Sequence, residues 1–184
     1  MSEPSNAIMS QDRPAQPATA PVNPRATDAV PLRRALGCYT TGVTIISCFD
    51  TRGQPQGLTA NSFVALSLDP PLILWSLRLV SQSMAAFVQA PRFAVNVLAE
   101  GQVELSRRFA SSVPDKFEEG VWSVGEFGAP VLTGCAAVFE CELTDQQVAG
   151  DHRLFIGQVL ACAETALPPL VFQGGHYHLL GEVL

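Results

Sequence analysis

The sequence predicts a mainly β fold, in which a mainly antiparallel sheet or barrel carries a few short helices on its outside. Short apolar segments of strand length recur along most of the chain, whereas patterns with helical spacing are few and brief. The 14 glycines and 14 prolines punctuate these segments. At 184 residues and 47% hydrophobic content the chain can bury one sizeable core, so one folded domain is expected over residues 28–184.

The N-terminal region is expected to be a disordered tail followed by a short helix. Residues 1–27 are rich in Pro, Ala, Ser, Gln and Asn and show no apolar periodicity. Asp28 is a candidate N-cap, and Pro31 falls in the first helical turn. Apolar residues keep the helical spacing until Gly37 or Gly42 breaks it.

A β-hairpin and a buried strand are expected next. Residues 43–49 are apolar and rich in β-branched side chains, which predicts the first strand. Turn-forming residues at 50–53 then reverse the chain, and a second strand leads from about residue 56 into the segment that begins at Thr59. Residues 72–77 are almost continuously apolar and predict a buried strand.

Two short helices are expected around a further strand. One runs through Met84 and Val88 and ends before Pro91, and residues 93–98 follow with the alternation of a strand. Residues 104–110 predict the other helix. Residues 111–130 predict a long irregular connection, and such loops are usually functional or interfacial. In the last third, strands are expected over residues 136–143, 153–164, 170–172 and 177–180.

Composition narrows the class of protein. A net charge of -6 and a pI near 4.9 argue against a nucleic-acid partner, because the few basic residues form no stripe. No apolar run reaches the roughly 20 residues that span a bilayer, and residues 1–30 lack the features of a signal peptide, so no membrane is expected and the location is expected to be cytoplasmic. The five cysteines have no metal-site spacing and are expected to be reduced and mostly buried, without a bound metal.

A polar segment at the end of the second predicted strand is the first candidate site. Thr59, Asn61 and Ser62, with Ala60 between them, offer hydroxyls and an amide beside an extended backbone. These groups could bind the edge of a flat heterocycle. Alternatively, they satisfy backbone groups of a turn.

Two serines form the second candidate site. Ser81 and Ser83 stand just before a predicted helix, where unpaired N–H groups favour an anion such as a phosphate, and Arg78 could add charge. Helix capping is the alternative explanation. The chain has no GxGxxG segment after a strand and no Walker loop, so a nucleotide would be bound by another architecture.

Two histidine-containing segments complete the candidates. His152 follows a Gly-Asp pair at a predicted loop-to-strand junction and could point into a cleft as a hydrogen-bond donor, although a lone histidine is more often structural. Tyr177 stands between His176 and His178, and this cluster could cover an aromatic ligand or simply pack within a strand.

In this order the motifs resemble the flavin reductase family of FMN-binding split barrels, the NAD(P)H-dependent partners of two-component flavin monooxygenases. The resemblance covers about Val30 to Leu180. The segments that carry it are residues 36–46 (LGCYTTGVTII), 57–63 (GLTANSF), 67–72 (SLDPPL), 93–98 (FAVNVL), 115–117 (DKF) and 150–157 (GDHRLFIG).

The resemblance implies a split β-barrel, a Greek-key antiparallel barrel with a few short flanking helices, that forms a homodimer and binds FMN or FAD near the subunit interface. Ser81, Gln82 and Ser83 would hold the ribityl phosphate, His152 would help to place the nicotinamide, and Tyr177 would help to close the pocket. The residues assigned to flavin binding are Thr59, Ala60, Asn61, Ser62, Ser67, Ser76, Ser81, Gln82, Ser83, Phe109 and Tyr177.

The implied activity is transfer of hydride from NADH or NADPH to the flavin, with the reduced flavin passed to a partner monooxygenase. Such a reaction requires mainly that two rings be stacked at close range, which suits a sequence without an obvious pair of catalytic carboxylates. Two alternatives stay open: a flavoprotein that retains its flavin and reduces another acceptor such as a corrinoid, and a non-catalytic flavin-binding module.

Overall fold

A seven-stranded antiparallel sheet forms the body of the protein in a computed structural model that describes residues 29–182. The helices are α1 (Val30–Gly37), α2 (Met84–Gln89) and α3 (Val103–Ala110), with a 3₁₀ turn over Glu100–Gln102. The strands are β1 (Thr41–Gly42), β2 (Thr44–Phe49), β3 (Pro55–Ala60), β4 (Val64–Leu68), β5 (Pro71–Arg78), β6 (Arg92–Val97), β7 (Trp122–Val124), β8 (Pro130–Leu132), β9 (Ala137–Ala149), β10 (His152–Glu164), β11 (Val171–Gln173) and β12 (His176–His178).

The main sheet has the order β3-β2-β6-β9-β10-β5-β4, and smaller sheets are formed by β1-β11-β12 and β7-β8. All described strand pairs are antiparallel. The prediction of a mainly β, antiparallel fold with a few short helices is therefore confirmed. The predicted tail over residues 1–27 and the predicted cap at Asp28 lie outside the described residues; α1 begins at Val30.

The predicted hairpin is present as β2 and β3, and its turn forms for a local reason. The Asp50 carboxylate accepts hydrogen bonds from the N–H groups of Arg52 and Gln54, both at 2.9 Å. Gly53 has φ of +75°, a conformation that glycine adopts without steric cost. Because β3 is thereby registered against β2 as far as Thr44 opposite Ala60, the polar segment that follows is held at the end of the sheet.

Three segments differ from the sequence-based prediction. Residues 111–130 are not wholly irregular, because β7 pairs with β8. The Glu140 carboxylate holds the turn between these strands by accepting hydrogen bonds from the N–H groups of Glu126 and Phe127. β9 continues six residues beyond its predicted end and pairs with β10 as a ribbon, since backbone pairing to β10 does not require an apolar sequence. The last predicted strand ends early, so Leu179 and Leu180 lie outside β12.

One apolar cluster fills the side of the sheet beneath α2. The Trp75 ring stacks on Phe155 with centroids 4.4 Å apart and an interplanar angle of 10°, and Phe87 meets it edge-on at 5.0 Å. Gly157 allows the Phe93 ring to lie against β10, since a Cβ there would come within 2.5 Å of the ring. β5 and β10 are thereby fixed to each other at the strand ends that carry Arg78 and His152.

A second apolar cluster lies beneath α3 and joins the smaller sheets to the main one. Its buried members include Ile45, Leu98, Phe109, Leu132 and Leu170. Phe109 is 1% exposed, so the end of α3 is anchored where the polar segment after β3 begins. This cluster supports one wall of the cleft described below.

The cysteines agree with the prediction that most are buried and none is paired. Cys48, Cys135 and Cys141 are buried, Cys38 and Cys162 are exposed, and all five are free. Burial raises the pKa of Cys48 and Cys141 to about 12, so these thiols are not nucleophilic near neutral pH. Within residues 29–182 no group of His, Cys, Asp or Glu side chains could hold a metal ion, and no helix there is long and apolar enough to cross a membrane.

Candidate functional site

A cleft of about 940 Å³ opens between β3, the end of β5, the residues before α2, and the end of α3 with its following loop. His152, the first residue of β10, also lines it. The predicted site residues that line the cleft are Thr59, Ala60, Asn61, Ser62, Ser76, Ser81, Gln82, Ser83, Phe109 and His152. The fold therefore brings three separate predicted segments together.

The polar segment over residues 59–62, where β3 ends, uses two of its side chains in hydrogen bonds within the protein. Thr59 Oγ1 donates to the Ser106 carbonyl at 2.6 Å, and Ser62 Oγ bonds both the N–H and the C=O of Ser76 at 3.0 Å. These hydroxyls hold the segment against backbone groups of α3 and β5 instead of satisfying backbone groups of a turn. Asn61 is exposed, and its amide makes no side-chain hydrogen bond to another described residue. It remains available to a ligand.

The wall opposite the serines is built on a glycine. A Cβ at Gly57 would lie 2.7 Å from the Phe109 ring and 2.9 Å from the Phe117 ring. These two rings meet edge-to-face with centroids 4.9 Å apart. Only glycine lets the aromatic pair rest on β3, so Gly57 sets the position of this wall.

We expect Gly57→Ala to lower the free energy of unfolding by about 2 kcal/mol, because the added methyl group must displace two packed rings. Urea unfolding followed by circular dichroism measures this. Gly42→Ala is the matched control, since a Cβ there meets nothing within 4 Å, and it should stay within about 0.5 kcal/mol of the unmodified protein. Equal stabilities for both variants would contradict the packing role of Gly57.

Lys116 is a cleft residue to which the sequence analysis assigned no role. Its ammonium donates to the carbonyl of Phe109 at 3.0 Å and to that of Gly57 at 3.5 Å. Burial lowers the pKa of Lys116. The signal available in the sequence was a lysine between Asp115 and Phe117 in a long loop, but its partners lie on β3 and α3, which the sequence alone does not place beside it.

The serines lie at the other end of the cleft, before α2. Ser83 is the N-cap residue of α2, yet its side chain makes no capping bond, and Ser81 Oγ accepts only a long bond of 3.4 Å from the Ser83 N–H. Helix capping therefore does not account for the Ser83 hydroxyl. Gln82 and Arg78 also line the cleft here. Since α2 has only six residues, binding of an anion here depends on these side chains rather than on a helix dipole.

His152 is placed by a tight turn. Gly150 has φ of +63°, and the Leu79 N–H donates to the Asp151 carbonyl at 2.9 Å, which fixes the turn to the end of β5. His152 Nδ1 lies 2.7 Å from Asp151 Oδ1. The hydrogen bond from His152, and secondarily its charge, lowers the pKa of Asp151, and Arg78 contributes to this shift. The carboxylate is thus ionised beside the imidazole.

Two predicted site residues lie outside the lining of the cleft. Ser67 is on β4, opposite Leu72. Tyr177 packs on Phe172 with ring centroids 5.5 Å apart, and its hydroxyl bonds Ser106 Oγ at 2.9 Å. Ser106 in turn accepts the Thr59 hydroxyl, so Tyr177 supports the polar segment from behind. The ligand contacts assigned to Ser67 and Tyr177 stay predictions.

The charges that line the cleft are of one sign. Arg78 and Lys116 are cationic, and no aspartate or glutamate is among its described lining residues, although the whole chain has a net charge of -6. A positive cleft in an acidic protein favours an anionic ligand.

Comparison with known proteins gives one consistent result. The model of the "Flavin reductase like domain" matches residues 36–181. A probable flavin reductase of Rhizobium meliloti is 43% identical over 146 residues, which are 79% of this chain and 47% of that protein. The chain thus spans about half the length of that relative. The flavin-dependent monooxygenase reductase subunit HsaB of Rhodococcus jostii is 42% identical over 153 residues, 83% of this chain and 78% of that protein.

A solved structure shows the same likeness in three dimensions. The NADH:FAD oxidoreductase SgcE6 of Streptomyces globisporus, in complex with NAD and FAD fragments, superposes with a TM-score of 0.82 at 35% identity. The match covers 89% of this chain and 98% of that one.

Proposed function

This chain belongs to the family of flavin reductase like domains, and on that premise we propose that it is an oxidoreductase that transfers hydride from NADH or NADPH to FMN or FAD. The observation that carries the proposal is a single cationic cleft in which Asn61, the pair Ser81 and Ser83, and His152 come together. Its volume of about 940 Å³ lies at the upper end of the range for ligand pockets, which suits two ligands bound side by side.

The residues present fit a flavin. The free amide of Asn61 and the backbone of residues 59–62 suit the polar edge of the ring, and the hydroxyls of Ser81 and Ser83 with Arg78 suit its phosphate. Ala60, Ser76 and Gln82 line the same space, and Phe109 backs it. A bound flavin would supply the hydride-accepting ring.

The protein's own part in the reaction is mainly positioning. In this proposal the segment over residues 59–62 holds one ring by its edge, and His152 at the start of β10 orients the nicotinamide over it. Donors near Asn61 and the nearby ammonium of Lys116 are placed to stabilise negative charge that arrives with the hydride. No general acid or base is required for this step.

The partners follow from the same proposal. A reductase subunit of a flavin-dependent monooxygenase is among the relatives, so the reduced flavin is expected to pass to such a monooxygenase. A second copy of this chain is expected to cover edge strand β4, where Val64, Leu66 and Leu68 are 47%, 49% and 92% exposed. Sedimentation that gives one chain mass at all concentrations would contradict the homodimer. The free state of all five cysteines supports a cytoplasmic location.

Oxidation of NADH and NADPH by the purified protein, followed by the loss of nicotinamide absorbance, tests the activity. We expect the rate to require added flavin and to saturate with FMN, FAD or riboflavin. Oxidation without added flavin, by protein that carries flavin through purification, would instead indicate a retained cofactor and another acceptor such as a corrinoid. No oxidation with any flavin, together with tight flavin binding, would indicate a non-catalytic binding module.

The phosphate assignment gives a separate prediction. Replacing Ser81 and Ser83 together by alanine should raise the dissociation constant for FMN about tenfold, through lost hydrogen bonds to a charged group, and leave riboflavin binding nearly unchanged. Isothermal titration calorimetry with both ligands measures this. The control is Ser123→Ala, since Ser123 is an exposed serine on β7 outside the cleft lining, and it should affect neither ligand. Equal losses for FMN and riboflavin would contradict a phosphate contact.

A further inference from the structure

The turn before β10 holds an acidic side chain against the histidine of the site. Asp151 Oδ1 lies 2.7 Å from His152 Nδ1, and the turn that presents both is fixed by Gly150 and by the bond from the Leu79 N–H to the Asp151 carbonyl. Arg78 is the cross-strand neighbour of His152 and adds positive charge near the carboxylate. The Asp151 carboxylate therefore stays ionised and can only accept a hydrogen bond.

This arrangement decides which imidazole nitrogen carries the proton. Since the carboxylate is an acceptor, Nδ1 must donate to it, and in the neutral ring Nε2 is then left with a lone pair. His152 lines the cleft and Asp151 engages its Nδ1, so in the neutral ring the nitrogen left for a ligand is an acceptor. The sequence alone suggested a hydrogen-bond donor at His152. The structure differs because the tautomer depends on the side chain of Asp151.

We propose that Asp151 is a positioning residue that fixes the Nδ1-protonated tautomer of His152, so that Nε2 accepts a hydrogen bond from the carboxamide N–H group of the nicotinamide. This inference rests on the proposed function, because it names the coenzyme group to which His152 hydrogen-bonds. A carboxamide has one donor and one acceptor end, so contact with its donor end fixes which way round it lies. The ring face presented for hydride transfer would be fixed with it.

The tautomer can be read directly from the ligand-free protein. The chain has three histidines, so long-range ¹H–¹⁵N spectra of labelled protein are simple, and His152→Gln identifies the signal. In spectra taken at alkaline pH, where imidazole rings are neutral, we expect His152 to give the pattern of a ring protonated at Nδ1. In Asp151→Asn the new amide can either accept from or donate to Nδ1, so the signal should shift towards the Nε2-protonated form. An Nε2-protonated ring in the unmodified protein at that pH would overturn the proposal.

Reduced coenzyme analogues test the contact itself. The 3-acetylpyridine analogue keeps the carbonyl but lacks the N–H donor, whereas the thionicotinamide analogue keeps the donor. We expect the preference in kcat/KM for NADH over the acetylpyridine analogue to fall about tenfold in Asp151→Asn, the size of one hydrogen bond. The preference over the thio analogue should be unchanged. Each ratio of kcat/KM values is compared between the unmodified protein and Asp151→Asn. The different reduction potentials of the analogues therefore cancel.

Asp145→Asn is the matched control, since Asp145 is an exposed aspartate on β9 outside the cleft lining, and neither ratio should change. An unchanged acetylpyridine ratio in Asp151→Asn, beside the expected spectrum, would overturn the coenzyme contact. If the unmodified protein oxidises no dinucleotide, the proposed function fails and the contact fails with it, whereas the spectrum still decides the tautomer separately.

Discussion

Replacing Asn96 by alanine is expected to lower the free energy of unfolding by about 3 kcal/mol, because it leaves three buried polar groups on β2 and β8 without their hydrogen-bond partner. Asn96 is 0% exposed. Its Nδ2 donates to the Ile45 carbonyl at 3.0 Å and to Ser47 Oγ at 2.9 Å, and its Oδ1 accepts the Leu132 N–H at 2.8 Å. The side chain thus ties β8 to the main sheet from inside.

Urea unfolding of Asn96→Ala measures the effect, and Asn61→Ala is its matched control. Asn61 is exposed and its amide has no partner among the described residues, so its removal should cost less than about 0.5 kcal/mol while weakening flavin binding. Ser47→Ala should have an intermediate cost, since Ser47 Oγ both accepts from Asn96 and donates to the Pro130 carbonyl at 2.6 Å. Similar stabilities for Asn96→Ala and Asn61→Ala would refute the role of this network.

The stability of this network also bears on the cleft. Asn96 accepts a hydrogen bond from the N–H of Leu132, and Leu132 belongs to the same apolar cluster as Phe109. Phe109 in turn packs on Gly57 in the cleft wall. Loss of Asn96 should therefore loosen the aromatic wall as well as the sheet. A stability defect in this protein can look like a defect in ligand binding, which is why binding and unfolding need to be measured on the same variants.

The parts predicted well from the sequence have local causes. The β2–β3 hairpin forms because Asp50 and Gly53 define its turn within a few residues. The segment at Thr59, the serines before α2 and His152 were each recognised from short patterns, and antiparallel pairing then brought them to one cleft. The resemblance to a family supplied what the patterns lacked, namely that the three segments act together.

The parts that were missed depend on contacts between distant residues. The β7–β8 hairpin needs Glu140, which lies beyond both strands in the sequence, to hold its turn. Lys116 is held in the cleft by the carbonyls of Phe109 and Gly57, which lie 7 and 59 positions away. The hydroxyl of Tyr177 bonds that of Ser106 on α3, 71 positions away, whereas its predicted contact with a ligand stays a prediction. No local pattern reports these partners, because the fold brings them together from separate parts of the chain.

His152→Ala is expected to lower kcat/KM for NADH about a hundredfold while changing the dissociation constant for flavin by less than about twofold. The reason is geometric. His152 lies at the start of β10, whereas the residues proposed to hold the flavin lie on the segment after β3 and before α2. Its loss removes an orienting contact to the nicotinamide and no contact to the flavin. Steady-state oxidation with saturating flavin, beside calorimetric flavin titration, separates the two effects.

His176→Ala provides the control, because His176 is an exposed histidine on β12 outside the cleft lining and should leave both values unchanged. An unchanged rate in His152→Ala would show that His152 does not contact the nicotinamide. A matching loss of flavin affinity would show that His152 has a structural role instead. His152→Gln adds a finer distinction. A glutamine oxygen can accept the hydrogen bond proposed for Nε2, so this variant should recover part of the lost rate, and it should do so without Asp151. Adding Asp151→Asn to His152→Gln should then have no further effect on the choice between coenzyme analogues, because the carboxylate acts only through the imidazole.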